Sequence, residues 1–254
     1  MAAADASIPP DQEFLALLVH RGWLTREAAR EALAAAGAGS PLAESLAEAS
    51  GLDQRTLGWL RRTHVMNPPE IPGYRMGERL GSGGTAEVWA AQREKDFQRI
   101  ALKIQQPALA RDPLATQRFL EEARVLQTLK VPGVVRCLRA FRFLGLCVLE
   151  LERVSGRTLE EELEDGRRFE EREALGLVLQ VARTLEGLRE AGVVHRDLKP
   201  GNLMLNADGS VKLIDLGFAG SGTEQGGAAG TTLGTPAYLA PEQARGESGL
   251  DARA

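Results

Sequence analysis

The sequence has 254 residues, 43% of them hydrophobic and 26% charged, which is the balance of an ordinary folded protein. Its 31 basic and 35 acidic residues give a net charge of −4, which makes no case for nucleic acid or an acidic membrane as the main partner. No segment approaches ~18 uninterrupted apolar residues, and residues 1–10 lack the pattern of a secretory signal. We therefore expect a cytoplasmic protein without a membrane segment or a nucleic-acid partner.

Residues 1–66 are predicted to form a small all-α module. Ala, Leu, Glu and Arg dominate this part, glycines interrupt it, and no strand pattern occurs. Thr25 and Asp53 are predicted to cap the starts of two helices. We expect His64 to lie at a helix end rather than to bind a metal, because no partner of metal-binding type is near it in the sequence.

Two predicted junctions between helices, Gly22-Trp23-Leu24-Thr25 and Gly51-Leu52-Asp53, each run from a helix end through an apolar residue to a new helix cap. This similarity suggests a weak internal repeat. With its apolar spacing, the Gly-Trp-Leu-Thr step resembles the N-terminal helical domain of type II secretion ATPases and of some bacterial signalling proteins. A protein partner for this module is a further expectation. The alternative interpretation is a helical module for docking or packing only.

A second unit follows a Pro-rich linker at residues 67–73. Segments with strand patterns alternate with one helix, and helix-rich sequence then covers residues 158–190. The predicted strands are Tyr74–Leu80, Ala86–Gln92, Arg99–Ile104 and Cys137–Leu151, the last with a turn near Gly145, and the predicted helix is Pro113–Leu129. This order predicts an α+β fold in two lobes, with a mostly antiparallel sheet in the first.

A glycine-rich segment lies between the first two predicted strands. Glycines at the tip of a hairpin allow the backbone to approach a triphosphate and to offer amide donors. The segment does not match a phosphate-binding loop of the Walker type, because no Gly-Lys-Ser/Thr follows. The candidate nucleotide-contacting residues are Leu80, Gly81, Ser82, Gly83, Gly84, Thr85, Ala86 and Val88.

Lys103 stands inside the apolar segment Ile100-Ala101-Leu102-Lys103. An unpaired ammonium in a protein core is costly, so this lysine should meet phosphates and a carboxylate. Glu122 is the preferred carboxylate, because of its position relative to the apolar face of the predicted helix, and Glu121 is the competitor.

Asp197, Asn202 and Asp215 are the candidate catalytic and metal-binding residues. The turn at Asp208-Gly209 lies between two apolar runs and predicts a hairpin, whose pairing would bring Asn202 close to Asp215. Side-chain oxygens suit Mg²⁺, which takes its remaining ligands from phosphates and water. Asp197 would then orient a substrate hydroxyl and accept its proton.

Together these motifs identify the second unit as resembling the protein kinase family. They follow in order as the glycine loop, the strand lysine, the helix glutamate, His195-Arg196-Asp197, Asp215-Leu216-Gly217 and Ala240-Pro241-Glu242. The resemblance to bacterial serine/threonine kinases implies a bilobal fold, with residues 74–152 as the N-lobe and residues 153–254 as a partial C-lobe.

The resemblance also implies the role of each residue. Lys103 would hold the α- and β-phosphates of ATP, Asn202 and Asp215 would hold Mg²⁺, and Asp197 would be the base. Lys199 and Thr235 match the serine/threonine class, so the substrates would be protein Ser and Thr hydroxyls. The remaining residues predicted to contact the nucleotide are Ala101 and the hinge residues Glu150 and Glu152, which lie beside an apparent insertion.

The sequence departs from the family pattern at three places. Ala86 replaces the third glycine of the loop, and Leu216 replaces the usual Phe as a conservative apolar substitution. The matching sequence ends soon after Glu242, so we expect a truncated C-lobe and poor phosphate transfer by this chain alone. The alternative functions are a nucleotide-binding pseudokinase or scaffold, a small-molecule phosphotransferase, and an interaction protein led by residues 11–65.

Arg196 implies a kinase subtype that is regulated by phosphorylation of the activation segment. Residues 217–236 are rich in Gly, Ser and Thr, and the alternative is that they form a flexible linker only. The predicted acceptors are Thr231 and Thr232, ahead of Ser221 and Thr223. Cys137 and Cys147 have no metal-ligand spacing, so we expect buried free thiols in a reducing compartment.

Overall fold

The computed structural model describes residues 11–20, 22–37, 41–64, 67–110, 112–216, 220–221, 236–245 and 247. Its first part is all helical, with α1 (Asp11–His20), α2 (Arg26–Gly37), α3 (Leu42–Ser50) and α4 (Gln54–His64). Their apolar faces enclose one core, which includes Phe14, Leu18, Leu46 and Leu60.

Two predicted helix caps in this module are confirmed. The Thr25 hydroxyl accepts a hydrogen bond from the backbone N–H of Ala28 at 3.1 Å, just before α2. The Asp53 carboxylate accepts one from the N–H of Thr56 at 2.7 Å, at the start of α4. Each cap supplies an acceptor to a backbone donor that the first helical turn leaves free.

A five-stranded antiparallel sheet and one long helix form the next part. The strands are β1 (Tyr74–Ser82), β2 (Ala86–Arg93), β3 (Arg99–Gln105), β4 (Cys137–Phe143) and β5 (Leu146–Glu152), and the helix is α5 (Pro113–Thr128). The sheet order is β1-β2-β3-β5-β4. The predicted strands and helix are therefore confirmed, with ends that differ by one or two residues.

Side chains on the two faces of this sheet enter two different cores. Directly paired residues share a face, and β3 pairs with β5 so that Lys103 lies opposite Leu149 and Leu102 opposite Glu150. Leu149 belongs to the core that also contains Phe119 of α5, whereas Leu102 belongs to the core on the outer face. The register therefore places Lys103 on the face that α5 covers.

The C-terminal part combines helices with short strands. Its helices are α6 (Leu159–Glu164), α7 (Glu171–Glu190) and α8 (Pro241–Ala244). Its strands are β6 (Gly156–Thr158), β7 (Val193–Val194), β8 (Leu203–Asn206), β9 (Val211–Leu213) and β10 (Gly220–Ser221). Strands β6, β8 and β9 form a three-stranded sheet, and β7 pairs with β10. Among the described helices, none is long and apolar enough to cross a membrane.

The hairpin β8–β9 is attached to the first lobe by backbone hydrogen bonds. The N–H of Val135 donates to the carbonyl of Leu213 at 2.8 Å, and the N–H of Leu213 donates to the carbonyl of Gly133 at 2.7 Å. Residues 133–135 follow α5, so these bonds connect that helix to the hairpin. The hairpin carries Asn202 and Asp215 just outside its two strands.

The helical module packs against the turn between β4 and β5. Leu144, at the tip of that turn, contacts the module core, and the Trp59 and Phe143 rings meet edge to face with centroids 5.9 Å apart. The His64 ring Nε2 lies 2.9 Å from the carbonyl oxygen of Leu144. His64 thus lies at a helix end, as predicted, where it contacts the neighbouring lobe.

We expect Leu144→Asn to lower the free energy of unfolding by about 1–2 kcal/mol, because a partly buried leucine loses its apolar contacts. Leu144 has a left-handed backbone with φ of 46°, a conformation that Asn tolerates, so the turn itself should persist. Urea denaturation would measure the change. Leu163→Asn on the exposed side of α6 is the matched control, and an equal change in both variants would contradict the packing role of Leu144.

Candidate functional site

Lys103 is the centre of a charged cluster in the cleft beneath the sheet. Its ammonium lies 2.7 Å from Glu122 Oε1 and 2.9 Å from Asp215 Oδ1. The side chains of Lys103 and Glu122 are 8% and 7% exposed, whereas that of Asp215 is 38% exposed. Of the two glutamates weighed from the sequence, Glu122 is the one in contact, because it lies on the buried face of α5.

Two carboxylates share one ammonium in this cluster, and their pKa values move apart. Burial alone would lower the pKa of Lys103, but attraction to both carboxylates outweighs it and the pKa is raised. Burial raises the pKa of Glu122, against the attraction of Lys103. For Asp215 that attraction outweighs burial, and the pKa is lowered. Asp215 is therefore the more firmly ionised carboxylate, and it is the one open to solvent.

The loop at residues 195–202 brings Asp197, Lys199 and Asn202 together. The Asn202 amide donates to the Asp197 carbonyl at 2.7 Å and to Asp197 Oδ2 at 3.1 Å. Lys199 Nζ lies 3.0 Å from the same carboxylate oxygen of Asp197. These contacts hold the Asp197 carboxylate in one orientation, beside a cation that can attract a phosphate.

His195 connects this loop to Asp215. Its Nδ1 accepts a hydrogen bond from the Asp197 N–H at 3.2 Å, so the proton is on Nε2, which donates to the Asp215 carbonyl at 2.6 Å. Burial lowers the pKa of His195, which favours the neutral ring that this arrangement needs. Sequence analysis assigned no role to His195, although its position two residues before Asp197 was a usable signal.

The residues near Asp215 provide a donor set that fits Mg²⁺. Ile214 donates its N–H to the carbonyl of Asn202 at 3.0 Å, so Asn202 and Asp215 lie at the same end of the β8–β9 hairpin. The Asn202 amide nitrogen is used by Asp197, which leaves its oxygen for another partner. Among the described residues, no three or more His, Cys, Asp or Glu side chains are grouped to hold a metal. A site with few protein ligands suits Mg²⁺, which accepts phosphate oxygens and water.

The glycine-rich segment forms the open tip of the β1–β2 hairpin. Ser82 pairs with Glu87, and the N–H of Gly83 donates to the carbonyl of Ala86 at 2.9 Å across the tip. A Cβ atom on Gly81 or on Gly84 would have no atom within 4 Å. Packing within the protein therefore does not require glycine at these two positions, which is consistent with space kept for a ligand.

The other residues that were predicted to contact the nucleotide differ in how far they are buried. Ala101 is buried and Val88 is half-buried, and both pack against the core on the Lys103 side of the sheet. Leu80 is exposed near the start of the glycine-rich tip. Thr85 lies at the end of that tip, and its carbonyl accepts a hydrogen bond from the N–H of Gln106 at 2.9 Å.

The side chains of Glu150 and Glu152, the two hinge residues predicted to contact the nucleotide, bind other parts of the protein. Glu150 is fully buried on the outer face of the sheet, where it accepts hydrogen bonds from the Tyr74 hydroxyl at 2.5 Å and from Arg93 at 2.6 Å. Glu152 binds Arg136 and Lys212. The strand register was not visible in the sequence, because the extra residues near Glu152 obscured it.

Several residues that the sequence analysis singled out lie outside the described residues or beside them. Thr235, Gly217, Thr223, Thr231 and Thr232 lie outside the described residues, as does the side chain of Ser221. Leu216 is completely buried in the core that also contains Phe119, which is the main core of the protein, and this confirms it as an apolar packing residue. Cys147 is a buried free thiol, as predicted, whereas the free thiol Cys137 is half-buried.

Sequence analysis missed Gln243, which follows the Ala-Pro-Glu motif. Its side chain is buried, and its amide donates to the carbonyl of Arg196 at 2.8 Å. This bond connects α8 to the loop that carries Asp197. The neighbouring motif was a signal, but only the fold could show that α8 lies against that loop.

Comparison with known proteins gives several similar bacterial kinases. The probable serine/threonine-protein kinase of Streptomyces coelicolor is 36% identical over 187 residues, which is 71% of this chain and 28% of that protein. The serine/threonine-protein kinase PknB of Mycobacterium leprae is 34% identical over 196 residues, or 74% of this chain and 31% of that protein. The chain therefore spans about three tenths of the length of these relatives.

The family comparison covers more than half of the chain. The model of the protein kinase domain matches residues 74–252, which include the glycine-rich tip, the Lys103 cluster and the loop with Asp197. The antiparallel first lobe and the helical segments after it agree with that fold. The chain belongs to the protein kinase domain family.

Proposed function

We propose that this chain is an ATP-dependent serine/threonine protein kinase, which transfers the γ-phosphate of ATP to Ser and Thr hydroxyls of proteins. The main support for the proposal is the network of ion pairs in the cleft, in which Lys103 contacts both Glu122 and Asp215. His195 extends that network to Asp197. The proposal also rests on the names of the relatives as serine/threonine-protein kinases.

In this proposal each side chain has a defined task. Lys103 holds the α- and β-phosphates, and Glu122 keeps the ammonium in place when the nucleotide is absent. Asn202 and Asp215 would hold Mg²⁺, which neutralises phosphate charge when bound. Asp197 orients the substrate hydroxyl and accepts its proton, while Lys199 offsets charge on the transferred phosphate.

The glycine-rich tip would cover the triphosphate, because its open positions let backbone amides approach the phosphates. Apolar side chains of Val88 and Ala101 would contact the adenine. The hinge would contact the nucleotide through its backbone, since the Glu150 and Glu152 side chains are engaged elsewhere. Thr235 is proposed to bond to Asp197 and Lys199, as the resemblance to serine/threonine kinases implies.

We further propose that phosphorylation of the activation segment regulates the kinase. Arg196 has a left-handed backbone with φ of 66°, and its buried Nε has no hydrogen-bond partner among the described residues. An unsatisfied buried guanidinium nitrogen is costly, and a phosphate group would satisfy it. Thr231 and Thr232 are the proposed acceptors, ahead of Ser221 and Thr223.

The helical module is proposed to bind a protein partner. Its contacts with Phe143 and Leu144 would then connect the partner to the kinase lobe. A cytoplasmic location is proposed as well, which the free thiols of Cys137 and Cys147 support.

Phosphopeptide mass spectrometry tests the activity and its regulation in one experiment. We expect the chain, given Mg²⁺ and ATP with an isotopically labelled γ-phosphate, to place that label slowly on Ser or Thr of a protein substrate, in keeping with the poor transfer predicted from the sequence. Asp197→Asn is the inactive control. Label on the activation segment would support the regulatory proposal, whereas nucleotide binding without any label in the protein would favour a pseudokinase.

A further inference from the structure

A second charged cluster lies at the hinge, on the end of β5. The hinge cluster consists of Arg136, Glu152 and Lys212. Lys212 Nζ donates to Glu152 Oε1, which also accepts the backbone N–H of Arg136 at 3.0 Å. Arg136 Nε lies 3.3 Å from Glu152 Oε2. One carboxylate thus receives three donors from two other segments of the chain.

The hinge cluster joins three segments that adjoin the elements carrying the residues of the proposed site. Glu152 ends the strand that pairs with β3, which carries Lys103. Arg136 follows α5, which carries Glu122, and Lys212 lies on β9, three residues before Asp215. The cluster therefore connects segments that adjoin the three elements whose charged groups meet in the cleft.

The direction of the Lys212 side chain follows from its strand. Val211 and Leu213 are buried in the main core, so Lys212 between them points to the opposite face, toward the hinge. The side chain of Glu152 is 16% exposed and that of Lys212 is 27% exposed. Burial raises the pKa of Glu152, but its bonds with Lys212 and Arg136 outweigh burial and the pKa is lowered.

We propose that Glu152 and Lys212 are positioning residues, which fix the distance between the β8–β9 hairpin and the lobe that carries Lys103. This inference rests on the proposed function, because the hairpin is the element that would present Asn202 and Asp215 to Mg²⁺. Backbone bonds hold Leu213 to residues 133–135, and the hinge cluster holds the same strand to β5. Without the ion pair, the hairpin loses its side-chain attachment to β5 and can shift relative to Lys103.

The experiment measures the affinity of the full chain for a non-hydrolysable ATP analogue, with and without Mg²⁺, by titration calorimetry. We expect Lys212→Met and Glu152→Gln each to reduce the Mg²⁺-dependent gain in affinity by about tenfold. The double variant should lose no more of this gain in affinity than either single variant, since all three variants remove the same Glu152–Lys212 ion pair. Lys212→Arg keeps the charge and should retain the gain.

The matched control is Arg167→Met, which removes the ion pair of Arg167 with Glu173 at 2.7 Å, away from the cleft. Thermal unfolding of every variant shows whether the fold persists. Suppose that Mg²⁺ increases the affinity of the wild-type chain for the analogue. If Lys212→Met keeps this increase, or loses no more of it than Arg167→Met does, the positioning role is refuted. A wild-type chain without any such gain would instead overturn the proposed function, and the positioning role with it.

Discussion

Lys103→Met is expected to lower the free energy of unfolding by about 3–5 kcal/mol at pH 7, because it leaves the buried Glu122 carboxylate without its cation. The side chains of Lys103 and Glu122 are almost fully enclosed, so water cannot replace the lost ammonium. Methionine fills similar space, which separates the loss of charge from the formation of a cavity. Guanidinium denaturation followed by fluorescence measures the loss.

The same variant should become more stable as the pH is lowered from 8 toward 5. Burial already raises the pKa of Glu122, and removing Lys103 takes away the attraction that opposes this. An unfolded glutamate takes up its proton only near about pH 4.3. The folded variant therefore binds more protons above that pH, so lowering the pH increases its free energy of unfolding.

Glu122→Gln in the Lys103→Met background is the control for this assignment. It should recover part of the lost stability at pH 7 and flatten the pH dependence, because the protonatable group is gone. Arg189→Met breaks an exposed ion pair with Glu186 and should change the free energy of unfolding by less than about 1 kcal/mol. A Lys103→Met variant that is no less stable than Arg189→Met would contradict the charge network described here.

Local patterns were sufficient to predict most of the elements that hold the site. The apolar period of α5 favoured Glu122 over Glu121, and the turn at Asp208-Gly209 predicted the hairpin that places Asn202 near Asp215. Both predictions depend on residues close in sequence, where helical period and strand pairing determine the geometry.

Contacts between distant segments could not be predicted in this way. The direction of the Glu150 side chain depends on the register between β3 and β5, and a shift of one residue reverses every side chain. The contact of Leu144 with the module core joins parts of the chain more than eighty residues apart in sequence, and the His64 bond spans eighty residues. No local sequence pattern predicts such a contact.

Asp215→Asn is expected to remove most of the Mg²⁺-dependent gain in nucleotide affinity, about 100-fold if the side chain is a direct ligand. Asparagine keeps one oxygen but loses the negative charge, and Asp215 is the carboxylate whose pKa is lowered beside Lys103. Binding of the nucleotide without Mg²⁺ should change much less, since Lys103 retains Glu122. The variant therefore separates the metal site from the rest of the nucleotide site.

Titration calorimetry of the wild-type chain and of Asp215→Asn with an ATP analogue, each with and without Mg²⁺, tests the central claim most directly. The charge network predicts that Mg²⁺ strengthens binding to the wild-type chain and has little effect on the variant. Equal strengthening by Mg²⁺ in both proteins would contradict the assignment of Asp215, and with it the proposed arrangement of the site.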